Sequence, residues 1–319
     1  MTLHTILGAN GPLALALSRQ LFSAGLQIRQ VSRHPTKVNA TDSCVTADLM
    51  DAEATARAVE GSEVVYLVVG LQYNLQAWKE QWPRVMANVI DACIRHQARL
   101  VFFDNVYAYG LVEGPMTEYT PFNPCSRKGE VRAAVANTLL SAMHAGQISA
   151  QIVRSADFYG IDLALPRNSF FDTAVIDRLR QAKTPQWLGD SRHMHSFSYL
   201  PDIARSLAML ATSPTAWGHT WHALTCAESL TGNELVALAC RAAGRPFKMQ
   251  AAPWWILKLM AMYQPVIREN QEMMYQFERP YEFSSAKMNA AFDAVATPYC
   301  AGLKAIFSIR QGGALATDA

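Results

Sequence analysis

Strong charge of one sign, long apolar runs and clustered cysteines are all missing from this chain. Its 28 lysines and arginines nearly cancel 26 aspartates and glutamates, leaving a net charge of +2. So weak a balance speaks against nucleic acid or an anionic membrane as partner. No apolar stretch is long enough to span a bilayer. The longest candidate, Trp254 to Tyr263, is broken by Lys258 and reads as a packed helix entered through Pro253 rather than a surface anchor. Cys44, Cys93, Cys125, Cys226, Cys240 and Cys300 show neither metal-ligand spacing nor the density of a disulfide scaffold. They predict no metal site and the reduced thiols of a cytoplasmic protein. Also absent are a Gly-x-x-x-x-Gly-Lys-Ser/Thr phosphate loop, a His-Glu-x-x-His pair and a Gly-x-Ser-x-Gly elbow. Kinase, zinc-protease and serine-hydrolase chemistry therefore lose their support. The opening residues carry no basic region, apolar core or cleavage site of a secretory leader, because Leu3–Leu7 is already needed as a strand.

What is present begins at Gly8-Ala9-Asn10-Gly11-Pro12-Leu13-Ala14, directly after that first strand. Strand, glycine turn and helix start in this order aim backbone amides and a helix N-terminus at a dinucleotide diphosphate. Gly8 permits the turn, Gly11 lets the phosphates approach, and Ala14 is small enough for close helix packing. Pro12 suits a first helical turn, where its missing N–H is not needed. A glycine turn in any α/β protein is the plainer reading; the strand before and helix after favour the cofactor.

Alternation continues through the first half. Strands are expected over Leu26–Ser32, Cys44–Ala47, Glu63–Val69, Leu100–Phe103 and Ser149–Arg154. Helices are expected over Asp51–Glu60, Trp78–His96 and Gly129–Ala145, with apolar residues at helical spacing. The pattern predicts a Rossmann-type doubly wound parallel sheet of the α/β class. After about Tyr159 the rhythm breaks at Pro166-Arg167-Asn168, Pro185, Gly189-Asp190 and Pro201, and helices follow over Ile203–Thr212 and Leu235–Ala243. Residues 1–155 thus read as a dinucleotide-binding domain. Residues 156–319 read mainly as a smaller substrate-binding lobe with segments returning to the main sheet. Gly312 to Ala319 reads as frayed.

An acidic residue at the end of the second strand would bind a ribose 2′-OH. That end instead reads Gln30-Val31-Ser32-Arg33-His34-Pro35. Arg33 offers a permanently charged fork for a 2′-phosphate, with the Ser32 hydroxyl beside it, so NADP is expected over NAD. Asp48, followed by Leu49, is placed to bond an adenine amino group; an ordinary turn aspartate is the other reading.

These residues resemble the short-chain dehydrogenase/reductase superfamily, in its extended or atypical form, the NAD-dependent epimerase/dehydratase family. Gly8-x-x-Gly11-x-x-Ala14 matches the family glycine motif, Val68-Val69-Gly70 its fourth strand passing the cofactor, and Asn88 the asparagine of the next helix. Phe102-Phe103-Asp104-Asn105-Val106-Tyr107-Ala108-Tyr109-Gly110 is similar to its Ser-Ser…Tyr-Gly strand end. Ile152 to Gly160 and His195 to Asp202 are similar to two later segments. The resemblance implies hydride transfer at a substrate carbonyl or hydroxyl, with a sugar nucleotide as the family's default substrate. It also implies a homodimer through the helices Trp78–His96 and Gly129–Ala145.

The catalytic centre departs from the family's Ser/Thr, Tyr-x-x-x-Lys pattern. Lys128 stands where the family lysine holds the nicotinamide ribose, but four residues earlier the chain has Pro124, and Asn105 beside Asp104 replaces the hydroxyl. Three readings stay open. In the first, a displaced tyrosine, Tyr109 or Tyr107, handles the proton while Asn105 orients the substrate oxygen and Asp104 serves as a base or caps a turn. In the second, the protein binds NADP as a sensor without turnover. In the third, Tyr119 is the true partner of Lys128 in a shifted register. Tyr73, Asp157 and His195 are substrate-binding candidates, and Arg154 more naturally pairs with a carboxylate. His193 and His195 share a strand face, but without a third ligand they read as a polar loop pair.

Overall fold

The computed structural model describes residues 2–160, 162, 165, 169–252 and 265–308. Expected features at Pro166-Arg167-Asn168, Pro253 to Tyr263 and Gly312–Ala319 lie outside the described residues.

Seven parallel strands form the central sheet: β1 (Leu3–Leu7), β2 (Gln27–Ser32), β3 (Ser43–Thr46), β4 (Val64–Leu67), β5 (Arg99–Asp104), β6 (Ala150–Arg154) and β10 (Thr220–His222). Their spatial order is β10-β6-β5-β4-β1-β2-β3. The order reverses beside β1, where β2 pairs on one side and β4 on the other. A crevice opens at such a reversal outside the carboxyl ends of the strands. Continuous apolar strands such as β4, buried at every residue, suit a sheet covered on both faces. One face packs on α2 (Ala52–Val59), α3 (Leu75–His96) and α4 (Arg127–His144), whose Val85, Met86, Val89 and Leu139 join one core. The other packs on α1 (Pro12–Ser23) and α6 (Leu200–Thr212), through Leu13, Leu17, Leu21, Ile203 and Leu207.

Several helices start earlier than their apolar spacing alone indicates, because polar residues ahead of it cap them. Asn74 accepts from the Ala77 amide at 3.0 Å and starts α3 at Leu75. Ser126 accepts from Gly129 at 3.0 Å and starts α4 at Arg127. Thr231 and Glu234 form a reciprocal capping box that starts α7 (Gly232–Ala242). Each cap contributes about 1 kcal/mol.

Beyond β6 the chain builds a second core from short elements. Two small parallel pairs, β7 (Asp157–Tyr159) with β9 (Phe197–Tyr199) and β8 (Gln186–Leu188) with β11 (Gln250–Ala252), frame it. Phe171, Trp187, Phe197, Leu235 and Leu303 fill it. The strand β10 returns to the main sheet beside β6.

Two buried histidines tie this frame to pH. The His4 ring nitrogen Nδ1 lies 2.9 Å from the Tyr66 hydroxyl, and burial lowers its pKa to about 4. His222 Nδ1 donates to the Ser284 carbonyl at 2.8 Å, which leaves Nε2 to accept the Tyr109 hydroxyl at 2.8 Å. Burial lowers its pKa to about 3 from an ordinary 6.5. As pH falls below about 6.5 the unfolded chain takes up protons first, so stability drops by about 1.4 kcal/mol per pH unit for each histidine. Urea unfolding across a pH series should show this decline, flattened in His222→Gln. Constant stability from about pH 7 down to about pH 5 would contradict it.

Candidate active site

The opening loop is shaped by a close approach of two backbones. Gly8 has φ +113°, and a Cβ there would stand 2.6 Å from the Val69 backbone. Gly8 and Ala9 donate to the Val31 carbonyl at 2.9 and 3.0 Å, locking the turn to the end of β2. Asn10, at φ +73°, accepts from Thr36 through its side chain and so anchors the loop after β2. The Leu15 amide reaches the Gly11 carbonyl at 3.1 Å. The Leu13 and Ala14 amides precede Leu15, the first internal donor of α1, and the helix has no side-chain cap and no acidic residue in its first turn. This cradle fits a diphosphate.

At the end of β2, Arg33 is exposed and bonded to no described residue, while Ser32 Oγ accepts the His34 amide at 3.2 Å. No carboxylate side chain follows in Ser32 to Pro35. The Asp48 side chain accepts the Met50 amide at 3.0 Å in a local turn and stays exposed. Leu49 is buried, and its carbonyl accepts from Asn88 at 2.8 Å. Val69 and Gly70 follow β4 at the same crevice.

Two of the expected catalytic groups belong instead to a buried frame below the crevice. Asp104 is 1% exposed; its Oδ1 accepts from Arg132 and its Oδ2 accepts from Arg154 Nε at 3.2 Å. The same Oδ1 takes the Asn105 amide at 2.8 Å, which occupies the carboxylate and corrects its reading as a base. Both guanidiniums lie on aromatic faces, Arg132 at 4.1 Å over Trp82 and Arg154 at 4.7 Å over Phe122. Tyr109, 1% exposed, accepts from Arg154 Nη1 at 3.1 Å and donates to His222. Its hydroxyl is thus engaged by two buried partners, which sets it apart from the part-exposed Tyr107 as a proton donor. Tyr119, the partner in the shifted-register reading, is 84% exposed.

Above this frame other predicted residues gather. Asn105 Oδ1 accepts the Tyr107 amide at 3.0 Å, leaving its NH₂ group for the crevice. Tyr107 stacks on Trp78 with ring centroids 6.2 Å apart, and its hydroxyl is hydrogen-bonded to that of Tyr73. Burial pushes Tyr73 up to about 12 and Tyr107 well above the phenol range, so both keep their protons at neutral pH. Lys128 is 1% exposed with its ammonium 4.8 Å over the Tyr73 ring. Its donors go to the Glu269 carbonyl at 2.7 Å, Glu269 Oε2 at 2.9 Å and Glu272 Oε1 at 2.9 Å.

Those two glutamates were not legible in the sequence. Glu269 also accepts from the Leu75 amide at 3.1 Å and Glu272 from the Arg127 amide at 2.8 Å. One carboxylate therefore sits at the N-terminus of α3 and the other at that of α4, where helix dipoles favour negative charge. They lie more than 140 residues from Lys128 in the chain, and no local motif marks them. Tyr275 and Tyr281, which close the site from the same segment, are equally unmarked. His193 lies 3.7 Å from Asp190 at the surface. No group of three potential ligands gathers for a metal ion among the described residues, and none of their helices is long and apolar enough to cross a membrane.

Removing the carboxylate of Asp104 strands two buried guanidiniums. Asp104→Asn should cost about 3–5 kcal/mol in urea unfolding. A loss under about 1 kcal/mol, the range of a surface pair, would show the frame to be dispensable.

No curated protein matches the chain in sequence. Its fold is similar to that of a UDP-N-acetylglucosamine 4-epimerase from Bacillus cereus, with TM-score 0.78, 14% identity and 98% of each chain covered. It is similar too to a UDP-glucose 4-epimerase from Thermus thermophilus in complex with NAD, with TM-score 0.76, 17% identity, and 97% of this chain and 98% of that one covered. A dTDP-glucose 4,6-dehydratase double mutant from Streptomyces venezuelae with NAD bound gives TM-score 0.75 at 15% identity, covering 97% and 96%. Identity at this level carries the fold alone. A family model spans the sheet and its crevice from residue 4 to residue 222, and by that match the chain belongs to the NAD dependent epimerase/dehydratase family.

Proposed function

We propose that the protein is a nicotinamide-dinucleotide-dependent oxidoreductase or epimerase/dehydratase-like enzyme acting on a carbonyl or hydroxyl compound, with NADP as its dinucleotide. The observation that carries this is the Gly8–Val69 close approach, which shapes the loop so that the uncapped Leu13 and Ala14 amides are left for a diphosphate. The cofactor, when bound, supplies hydride exchange at its nicotinamide ring.

The remaining groups come from this chain. Gly8, Asn10, Gly11, Pro12 and Leu13 form the diphosphate cradle, Ser32 and Arg33 the 2′-phosphate contact, and Asp48 and Leu49 the adenine wall. Val69, Gly70 and Lys128 border the nicotinamide ribose. Asn105 turns its free amide to the substrate oxygen. Tyr107, kept protonated by burial and hydrogen-bonded to Tyr73, donates the proton that Pro124 cannot. Residues 1–155 act as the cofactor domain and 156–319 as the substrate lobe, within a cytoplasmic homodimer paired through α3 and α4.

One observation favours a second reading, an NADP-binding sensor without turnover. Lys128 has three donors, and all three are taken by Glu269 and Glu272.

Two of the structural neighbours named above are complexes with NAD, so the NADP reading rests on Arg33 and is tested there. Calorimetry should give tighter binding of NADPH than of NADH, with a ratio that falls about tenfold or more in Arg33→Ala, as expected for a charge-assisted contact. Equal affinities in the unaltered protein, or a ratio untouched by the substitution, would refute it.

A further inference from the structure

Asp157 and His195 form a pair whose surroundings point outward to a ligand. His195 is 3% exposed and its ring is clamped between two others, Phe277 at 4.8 Å and Tyr281 at 4.5 Å, both nearly parallel to it. The clamp fixes the imidazole so that Nε2 meets Asp157 Oδ2 at 3.3 Å. Asp157 opens β7 at the carboxyl end of the sheet and keeps its side chain 26% exposed. No described residue donates to its Oδ1. Burial first, and the charge of Asp157 after it, raises the pKa of Tyr73, Tyr107, Tyr275 and Tyr281. Tyr281 is 5% exposed, and its hydroxyl is buried there without a partner of hydrogen-bonding geometry.

The buried basic groups near this pocket already face carboxylates within the protein. Lys128 faces Glu269 and Glu272, Arg132 and Arg154 share Asp104, and His195 faces Asp157. A nucleoside diphosphate entering here would meet the part-exposed Asp157 carboxylate, with Lys128 already held by Glu269 and Glu272 and both arginines drawn to the buried Asp104. Unpaired like charges are a strong rejecting element. A ring or apolar body, by contrast, finds phenol faces to stack on, and a hydroxyl or ammonium finds Asp157 Oδ1 and the Tyr281 hydroxyl.

Building on the dinucleotide reading, we propose that the substrate is a phosphate-free carbonyl or hydroxyl compound with a ring or apolar body. Asp157, positioned by His195, anchors its hydrogen-bond-donating group. The pocket therefore selects against the sugar nucleotides handled by proteins of similar fold.

Calorimetry on the NADP-loaded protein tests this with UDP-glucose and with three benzyl alcohols: unsubstituted, para-aminomethyl and para-carboxy. The aminomethyl compound should bind tighter than the carboxy compound by roughly tenfold or more, and UDP-glucose should give no binding at millimolar concentration. Asp157→Asn should erase the preference between the two charged alcohols while leaving NADP affinity unchanged. Tyr281→Phe, which keeps the ring stack on His195, should weaken all three alcohols without changing their rank. Micromolar binding of UDP-glucose, equal binding of the charged alcohols, or a preference that survives Asp157→Asn would overturn the proposal. NADP affinity is read separately in the same samples. If it is absent, the dinucleotide reading fails, and the alcohol ranking is then measured on the unloaded protein.

Discussion

The carboxylate of Asp104 is the contact on which the rest of the site depends. It lies at the end of β5 and binds one guanidinium from α4 and one from β6. Arg154 passes the linkage on to Tyr109, Tyr109 to His222, and His222 to the Ser284 carbonyl. A single buried anion thereby joins three strands of the sheet, a helix and the returning C-terminal segment. One anion against two cations leaves positive charge in the interior. The faces of Trp82 and Phe122 offset part of it. Such an ion cluster adds little stability compared with apolar packing, but it is costly to break. Its consequence is geometric: the crevice floor holds a fixed shape, and the groups above it are set against that shape.

Polar groups of opposite sign have been divided between floor and rim. The arginines went to Asp104 and the lysine to two glutamates, so the carboxylate left facing the crevice is Asp157. The clasp of Lys128 with Glu269 and Glu272 also brings the C-terminal segment across the starts of α3 and α4. The N-terminal and late segments of the chain thus meet through ionic contacts. The phenols remaining in the crevice come from other elements: Tyr73 after β4, Tyr107 after β5, and Tyr275 and Tyr281 from the late segment.

Legibility in the sequence followed the range of the interaction. The strand and helix alternation through Arg154 was readable because period and turn residues are local signals. The glycine loop was readable because Gly8 and Gly11 stand in a fixed register to a strand and a helix. Helix starts were less so: Asn74, Ser126 and Thr231 act before the apolar spacing begins. The centre was harder still. Asp104 and Tyr109 carry chemical groups suited to catalysis, and only the positions of Arg132, Arg154 and His222 in space show that they are already engaged. Glu269, Glu272 and Tyr281 reach the site from the far end of the chain, where no spacing rule applies. Asp157 and His195 were visible as polar residues in suggestive segments. Their pairing required the parallel register of β7 with β9, which brings Asp157 opposite Phe197.

A crystal structure grown with NADPH tests the central claim most directly. The account predicts diphosphate oxygens within hydrogen-bond distance of the Leu13 amide and a 2′-phosphate against the Arg33 guanidinium. A nucleotide bound anywhere else on the protein, or a crevice left empty at saturating NADPH, would contradict it.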